Sequence, residues 1–266
     1  MDYSSYKFLR VEKRGNGVLL LTMNRPDVLN ACDSTGHHEL GQIWLDFGND
    51  PSAKVAIITG EGKAFCAGGD LGKAKVGDVP TVLEVMRHDE AIVHNMLNLK
   101  KPVISAINGV AVGAGLAVGL LADISLASER TRLIDGHTKL GVVAGDHAAL
   151  IWPLLCGLAR AKYYLLLCEQ IDGKTAAEIG LVSRFVEHEK LMPTAFDLAD
   201  RLASGSQWAI RGTKQVLNSW LRNSTPIFDQ SLALEMMSFF LPDAPEGVRA
   251  FRERRAPRFP SAATDQ

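Results

Sequence analysis

The sequence has almost no charge imbalance. Of its 266 residues, 29 are Lys or Arg and 30 are Asp or Glu, which gives a formal net charge of -1. Nucleic acids and anionic membrane surfaces attract strongly basic chains, so this balance favours neither partner. Residues 1–15, MDYSSYKFLRVEKRG, contain no apolar stretch of the kind that a signal peptide needs. We therefore expect a cytoplasmic protein that binds neither nucleic acid nor a membrane.

Cysteine is also scarce, and its spacing is not that of a metal or redox motif. The chain has four cysteines, with no CxxC pair and no clustering with histidine: Cys32, Cys66, Cys156 and Cys168. This pattern predicts reduced, packed thiols and no metal site. Cys66 lies inside the glycine-rich turn AFCAGGD, where a nucleophilic role is the alternative.

An uninterrupted hydrophobic span is missing as well. Residues 103–122 are nearly long enough to cross a bilayer, but Asn108 and Gly109 break the run. The β-branched segment 103–107 is typical of a buried strand, and the small residues of 113–121 are typical of a separate helix. We interpret this stretch as a buried strand–helix unit.

The remaining periodicity predicts an α/β fold. Residues 8–13 and 18–23 flank an Asn-Gly turn and predict a β-hairpin, and Asp33 is placed to cap the next helix. Further along the chain, predicted strands alternate with predicted helices: strands 55–59, 103–107 and 124–127, and helices 81–99 and 114–121. Such alternation indicates parallel strands joined by right-handed crossovers.

The pattern changes near Asp146 to one helix after another. A single short strand is predicted at 181–186, and long amphipathic helices are predicted at 208–221 and 227–240. Their apolar faces predict either a subunit interface or packing on the protein's own core. We divide the chain into a core, 1–200, and a C-terminal helical oligomerisation region, 201–266.

Several motifs in order resemble the enoyl-CoA hydratase/isomerase (crotonase) superfamily. They are NRPDVLNA (24–31), VAIITGEGKAFCAGGDL (55–71), KPVISAINGVAVGAGL (101–116), EIGLVSRFV (178–186) and the tail EGVRAFRERRAPRF (246–259). The resemblance implies a crotonase-like spiral of ββα units followed by a helical trimerisation region. It implies a homotrimer or a homohexamer, and an acyl-CoA substrate in which coenzyme A is part of the substrate rather than a prosthetic group.

The resemblance also assigns roles to the two glycine-rich turns. The backbone N–H groups of Gly69 and Ala114 would hold the thioester oxygen while negative charge develops on it. Two preorganised donors stabilise such a charge, and a helix that begins near Ala114 adds its dipole. Small side chains let the backbone approach the substrate.

Other positions match residues that contact coenzyme A in the family. Asp70, Leu71 and Gly72 would line the CoA moiety, although many members have a lysine where Gly72 stands. Phe251 and Arg254 match tail residues that reach CoA from a neighbouring subunit, where Arg254 would meet a phosphate. The alternative for Arg254 is an ordinary surface arginine.

The sequence departs from the family at the catalytic positions. Hydratases of this family use two glutamates, which would fall at Ala117 and His137, so neither carboxylate is present. A neutral imidazole at His137 can accept a proton near pH 7, and Asp146 can orient it or act as a second acid or base. The alternative is that Asp146 caps a helix that begins at His147.

The arrangement GHTKLGVVAGDHAALIWP also resembles the β-diketone hydrolases of the 6-oxocamphor hydrolase type, a second branch of the superfamily. His37, His137 and Asp146 match positions in that branch. The branch has a histidine where Ala114 stands and lacks both glycine turns, so CoA chemistry is the first hypothesis. A C–C bond hydrolase and a silent acyl-CoA-binding protein are the alternatives. His37 and its neighbour His38 border the acyl pocket in the family, and at least one of them is expected to face solvent.

Overall fold

The structure is a computed structural model that describes residues 1–70 and 76–263. The described residues form nine strands: β1 (Leu9–Lys13), β2 (Val18–Met23), β3 (Val55–Gly60), β4 (Val103–Ile107), β5 (Val110–Val112), β6 (Ile124–Ala127), β7 (Arg132–Ile134), β8 (Ile171–Asp172) and β9 (Arg184–Phe185). They also form ten α-helices: α1 (Ser34–Asn49), α2 (Val79–Asn98), α3 (Gly113–Leu121), α4 (Ala148–Cys156), α5 (Leu158–Leu167), α6 (Gly173–Glu178), α7 (His188–Ser204), α8 (Gln207–Asn223), α9 (Thr225–Ser238) and α10 (Asp243–Arg252).

The main sheet has the strand order β1-β2-β3-β4-β6-β9. β1 and β2 form the predicted antiparallel hairpin, with Leu9 opposite Met23 and Lys13 opposite Leu19. The turn between them uses left-handed backbone at Asn16 and Gly17, with φ of 61° and 78°. The other strand pairs are parallel, as the alternation of strands and helices predicted.

A second sheet, in the order β5-β7-β8, holds the segments that lead into the site. β5 is parallel to β7 and runs directly into α3, so this sheet fixes the start of that helix. The short strand predicted at 181–186 forms and pairs with β6, but it is shorter than predicted. The strand is limited to Arg184–Phe185, because the N–H of Leu181 donates to the carbonyl of Ala176 instead, and β8 is an additional short strand.

The core lies on both faces of the main sheet. All residues of β2, β3 and β4 are buried, as expected for strands covered on both sides. On one face, large side chains of α1 such as Trp44 and Phe47 belong to the main cluster, and small residues of α7 cover the other face. The Asp33 side chain caps α1 as predicted, since it accepts a hydrogen bond from the N–H of Gly36. Among residues 1–70 and 76–263, no helix combines the length and the apolarity that a bilayer crossing requires.

The two long C-terminal helices, α8 and α9, form within two residues of their predicted ends. α8 is joined to the core through Lys214, whose Nζ donates to Oδ2 of Asp123 at 2.7 Å. The side of α8 that bears Trp208 and Trp220 is exposed. α9 instead directs Glu235 inward, where only 4% of the residue is accessible. The C-terminal helices therefore supply a buried carboxylate to the core.

Candidate active site

The two glycine-rich turns lie against each other. The N–H of Val112 donates to the carbonyl of Cys66 at 2.9 Å, which ties the AFCAGGD turn to the end of β5. Gly68 and Gly113 both adopt left-handed backbone, with φ of 85° and 50°. A Cβ atom on Gly113 would lie 3.5 Å from Cα of Gly68 and 3.9 Å from N of Gly69. Because neither turn has a bulky side chain at this point, the two backbones meet directly.

Both predicted oxyanion donors have N–H groups that are available. Ala114 is the second residue of α3, and the first N–H groups of a helix have no intrahelical acceptor. Within the described residues, the N–H of Gly69 donates no hydrogen bond, and the residue is exposed. Such an arrangement can hold one carbonyl oxygen through two N–H groups.

His137 lies after β7, in a partly buried turn, and is surrounded by carboxylates. Its Nδ1 is 2.9 Å from Oδ1 of Asp135. Its Nε2 is 3.8 Å from Oδ2 of Asp146 and 3.5 Å from Oε1 of Glu235. Burial lowers the pKa of His137, but the charges of Asp135, Asp146 and Glu235 outweigh burial and raise that pKa well above its ordinary value. The structure therefore favours an imidazolium near neutral pH, whereas the sequence suggested a neutral imidazole.

Asp146 pairs with imidazoles and does not cap α4. Its Oδ1 is 2.6 Å from Nδ1 of His147, and Nε1 of Trp152 donates to Nε2 of His147 at 3.4 Å. Because the indole can only donate, His147 must direct its Nδ1 proton at Asp146. Burial raises the pKa of Asp146, but His147 and His137 lower that pKa by more than burial raises it. The carboxylate is therefore ionised. His147 itself occupies the N-cap position, so the capping interpretation was wrong.

Two further acids reach this cluster from helices that the sequence analysis did not connect with it. Glu235 comes from α9, and its Oε2 has no hydrogen-bond partner among the described residues. Burial raises the pKa of Glu235, and His137 opposes that effect. Asp89 comes from α2 and is buried, and desolvation followed by the charges of Glu235 and Asp146 raises its pKa well above the ordinary value. The signal in the sequence was an acid in an apolar setting: Glu235 is a single glutamate in the segment SLALEMMS of α9, and Asp89 lies on the apolar face of α2.

His37 supplies a second imidazole beside the oxyanion turn. Its Nδ1 is 3.0 Å from the carbonyl oxygen of Asp33, which can only accept, so the proton is on Nδ1. A Cβ atom on Gly69 would lie 4.0 Å from Cε1 of His37. Burial lowers the pKa of His37, so its Nε2 has a free lone pair near neutral pH. His38 is exposed, which confirms the expectation that one of the two faces solvent.

Some of the same acids have the spacing of a metal site. Asp135, Asp146 and His147 each offer a potential ligand atom, and these atoms lie within 4.8 Å of one another. Both ring nitrogens of His147 already take part in hydrogen bonds, so a cation would have to displace Asp146 or Trp152. In this arrangement Asp135 pairs with the imidazole of His137, and Asp146 pairs with that of His147.

The predicted CoA contacts are only partly brought together. Asp70 is half-buried, and its Oδ2 is 3.7 Å from Nη2 of Arg25. Leu71 and Gly72 lie outside the described residues. Phe251 and Arg254 are exposed near the end of α10, a helix that packs against residues 138–140.

Comparison with known proteins shows the family of the chain. The enoyl-CoA hydratase/isomerase family model matches residues 13–262. The chain belongs to the enoyl-CoA hydratase/isomerase family. Enzymes of this family act on CoA thioesters, and the α/β fold with a helical C-terminal region is the crotonase fold. Ala117 is buried in the apolar core.

Three relatives show how widely the family ranges in chemistry. The chain is 34% identical over 251 residues to 1,2-epoxyphenylacetyl-CoA isomerase of Escherichia coli K12. The match covers 91% of this chain and 95% of that protein. It superposes on an enoyl-CoA hydratase/isomerase from Mycobacterium paratuberculosis with a TM-score of 0.86 and 34% identity, over 91% of this chain and 97% of that one. It is also similar to a β-diketone hydrolase from Anabaena sp. PCC 7120 bound to (S)-3-oxocyclohexyl acetic acid, with a TM-score of 0.82 and 29% identity over 90% and 96% of the two chains.

Proposed function

We propose that this protein adds water to, or moves, a double bond next to the carbonyl of an acyl-CoA thioester. The observation that supports this reaction class most directly is the contact between the two glycine turns, beside an imidazole–carboxylate cluster. The turns supply donors for an enolate oxygen, and the cluster supplies groups that exchange protons near neutral pH.

The proposed oxyanion site consists of the N–H groups of Gly69 and Ala114. Negative charge moves onto the thioester oxygen when a proton leaves Cα or when water adds at Cβ. Both donors are fixed by the backbone before the reaction, and Ala114 lies in the first turn of α3, where the helix dipole favours negative charge. Loss of one donor of this kind costs about 3–4 kcal/mol of transition-state stabilisation.

His37 is suited to accept a proton, and His137 is suited to donate one. The lone pair on Nε2 of His37 can accept a proton from water or from Cα. The imidazolium of His137 can then deliver a proton to the enolate, with Asp135 fixing its Nδ1 side. Asp146 and Glu235 flank its Nε2. Burial raises the pKa of Glu235, so this acid can hold a proton and return it to His137 between turnovers. This imidazole pair replaces the two glutamates of the family's hydratases.

The proposal keeps the CoA contacts and the assembly that the resemblance implies. Asp70, Leu71 and Gly72 line the CoA moiety, and Phe251 and Arg254 reach it from a neighbouring subunit of a trimer or hexamer. The exposed apolar face of α8 supports assembly, since Trp208 and Trp220 are 89% and 71% exposed in the single chain. Light scattering on the purified protein measures the mass of the assembly, and a monomer would contradict this part of the proposal.

Mass spectrometry in ¹⁸O-labelled water tests the reaction class. The protein is incubated with 2-enoyl-, 3-enoyl- and 3-oxoacyl-CoA thioesters and with free β-diketones. Hydration adds one labelled water to an enoyl-CoA, and isomerisation changes the position of the double bond without any gain of label. A bound but unchanged thioester across the whole panel would contradict the proposal and favour a silent acyl-CoA-binding protein.

A second candidate is hydrolytic cleavage of a C–C bond in a β-diketone or a 3-oxoacyl-CoA. The neutral Nε2 of His37 favours it, because a base that takes a proton from water lets that water attack a ketone. The imidazolium of His137 beside Asp146 and Glu235 can supply the acid, and a β-diketone hydrolase has a similar fold. The same incubation separates the two reactions, since cleavage yields two fragments with label in a new carboxylate. The intact glycine turns suit a thioester, so they favour the acyl-CoA double-bond reaction over C–C bond cleavage.

A further inference from the structure

Two cysteines that are distant in the sequence meet beneath the oxyanion turn. Sγ of Cys32 and Sγ of Cys66 are 3.6 Å apart, and both residues are buried, with 1% and 0% of their surface accessible. A disulfide has an S–S length of about 2.05 Å, so the sulfurs would have to approach by about 1.5 Å. Neither residue lies inside a helix or one of the nine strands, so the backbone at both positions consists of connecting segments.

We propose that Cys32 and Cys66 are a reversible redox modification site, at which a peroxide converts two thiols into a disulfide that distorts the oxyanion turn. The modification does not depend on the proposed reaction, and only the expected loss of turnover rests on the proposed function. The site lies apart from the imidazole–carboxylate cluster, and the proposed reaction uses neither sulfur.

The surroundings of the two sulfurs assign different roles to them. The hydrogen bond between the two sulfurs lowers the pKa of the Cys66 thiol, and the backbone N–H groups of Gly68 and Gly115 add to this effect against burial. The pKa of Cys32 is raised by the same contact with Cys66 and by burial. Cys66 is therefore the attacking thiolate, and Cys32 is the resolving thiol.

The chemistry balances with a hydroperoxide as the oxidant. The Cys66 thiolate attacks one peroxide oxygen, the O–O bond breaks, and the leaving hydroxide takes up the proton that Cys66 released. The sulfur of Cys32 then attacks the Cys66 sulfenic acid, the S–O bond breaks, and water leaves with the Cys32 proton. Two thiols are oxidised to one disulfide, and one hydrogen peroxide is reduced to two waters.

The backbone of Cys32 connects this modification to the oxyanion site. Its N–H donates to the carbonyl of Gly68 at 2.8 Å, and its carbonyl accepts from the N–H of Asp70 at 2.8 Å. Cys32 therefore holds the residues on both sides of Gly69. Oxyanion donors act within about 2.7–3.1 Å of the oxygen, so a contraction at Cys32 moves the N–H of Gly69 out of range.

The test is a titration of the whole protein with hydrogen peroxide, followed by alkylation under denaturing conditions and peptide mapping. The expected result is a cross-linked pair of peptides that contain Cys32 and Cys66, with a mass lower by two hydrogen atoms. Turnover of the best thioester falls about 10²–10³-fold, which is the size expected when one oxyanion donor is lost. Dithiothreitol restores the turnover.

Two variants serve as controls. Cys32→Ala removes the resolving thiol and should give no cross-linked pair of peptides, because oxidation of Cys66 then stops at the sulfenic acid. Cys156→Ala removes a buried cysteine elsewhere in the chain and should still form the cross-link and lose turnover. If Cys32→Ala does not fold, the peptide map of the wild-type protein still decides whether the disulfide forms.

Two results would overturn the proposal. Cys32 and Cys66 could remain fully alkylated after peroxide treatment, or the cross-link could form without any change in turnover. If no thioester in the panel is turned over, the peptide map still tests the disulfide. Hydrogen exchange of amides 68–70 then replaces turnover as the measure of distortion, so that failure of the proposed reaction is not mistaken for failure of this site.

Discussion

Asp135 is the residue whose charge can be removed with the least disturbance to the site. It is 1% exposed, and its Oδ1 is 2.9 Å from Nδ1 of His137. Asp135→Asn keeps the shape of the side chain and an oxygen that accepts from Nδ1. The substitution therefore changes the charge beside the imidazole while the ring stays in place.

The structure gives the size of the effect. Two unit charges 2.9 Å apart attract each other by about 6 kcal/mol at an effective dielectric constant of about 20. The amide dipole of Asn keeps part of this attraction, and Asp146 and Glu235 still face the ring. We expect kcat to fall about 10–100-fold at the wild-type pH optimum, which corresponds to about 1.4–2.7 kcal/mol.

The pH dependence of kcat shows whether His137 donates or accepts a proton. Asp135 raises the pKa of His137, so Asp135→Asn lowers that pKa. If His137 donates a proton, activity is present below its pKa and is lost as the pH rises through it. In the variant, this loss begins at lower pH.

Asp229→Asn is the matched control. It removes another aspartate beside a histidine, since Oδ1 of Asp229 is 3.8 Å from Nε2 of His94, but this pair is exposed and outside the cluster. Its pH profile should match that of the wild type. An unchanged kcat and an unmoved pH limb in Asp135→Asn would refute the role of His137.

Three further substitutions have defined outcomes. Glu235→Gln removes the ionisable group 3.5 Å from Nε2 of His137, and steady-state kinetics should show kcat reduced about 10–100-fold with KM nearly unchanged. Gly115→Ala would place a Cβ atom 2.2 Å from Cβ of Cys66, and thermal unfolding should show a loss of about 1–3 kcal/mol. Lys214→Met leaves Asp123 without its buried partner at 2.7 Å, and urea unfolding should show a loss of about 2–3 kcal/mol.

The chain offers a matched control for each stability prediction. Gly212 lies within α8 with nothing within 4 Å of its Cβ position, so Gly212→Ala should raise stability by about 0.5–1 kcal/mol. Lys174 forms an exposed pair with Glu178 at 4.0 Å, and Lys174→Met should change stability by less than about 0.5 kcal/mol. Equal effects in a variant and its control would contradict the packing or charge argument. An unchanged kcat in Glu235→Gln would remove Glu235 from the proton pathway.

The main sheet could be predicted because its signals are local. The segments Val103–Ile107 and Ile124–Ala127 form strands with the predicted bounds, since both are short, mostly buried runs between turn residues. The strand predicted at 181–186 is shorter than expected because the N–H of Leu181 donates to the carbonyl of Ala176 in the preceding helix α6. A short apolar segment does not show which carbonyl its N–H groups will bind.

The site could be predicted only where its residues lie close together in the sequence. His137 and Asp146 are nine positions apart, and the structure brings them within 3.8 Å. Glu235 follows His137 by almost a hundred residues and reaches it only because α9 packs inward. Asp146 was ambiguous because a carboxylate before a helix can cap it, and only the tertiary structure shows that it bonds His147.

The most direct test of the account compares the wild-type protein with His137→Gln on the best thioester of the labelled-water panel. Turnover is measured together with the affinity for a CoA thioester that cannot react. We expect kcat to fall about 10²–10⁴-fold, the usual contribution of a positioned acid or base, while the affinity changes little. A variant that retains kcat within a few-fold of the wild type would contradict the assignment of His137 as the proton donor.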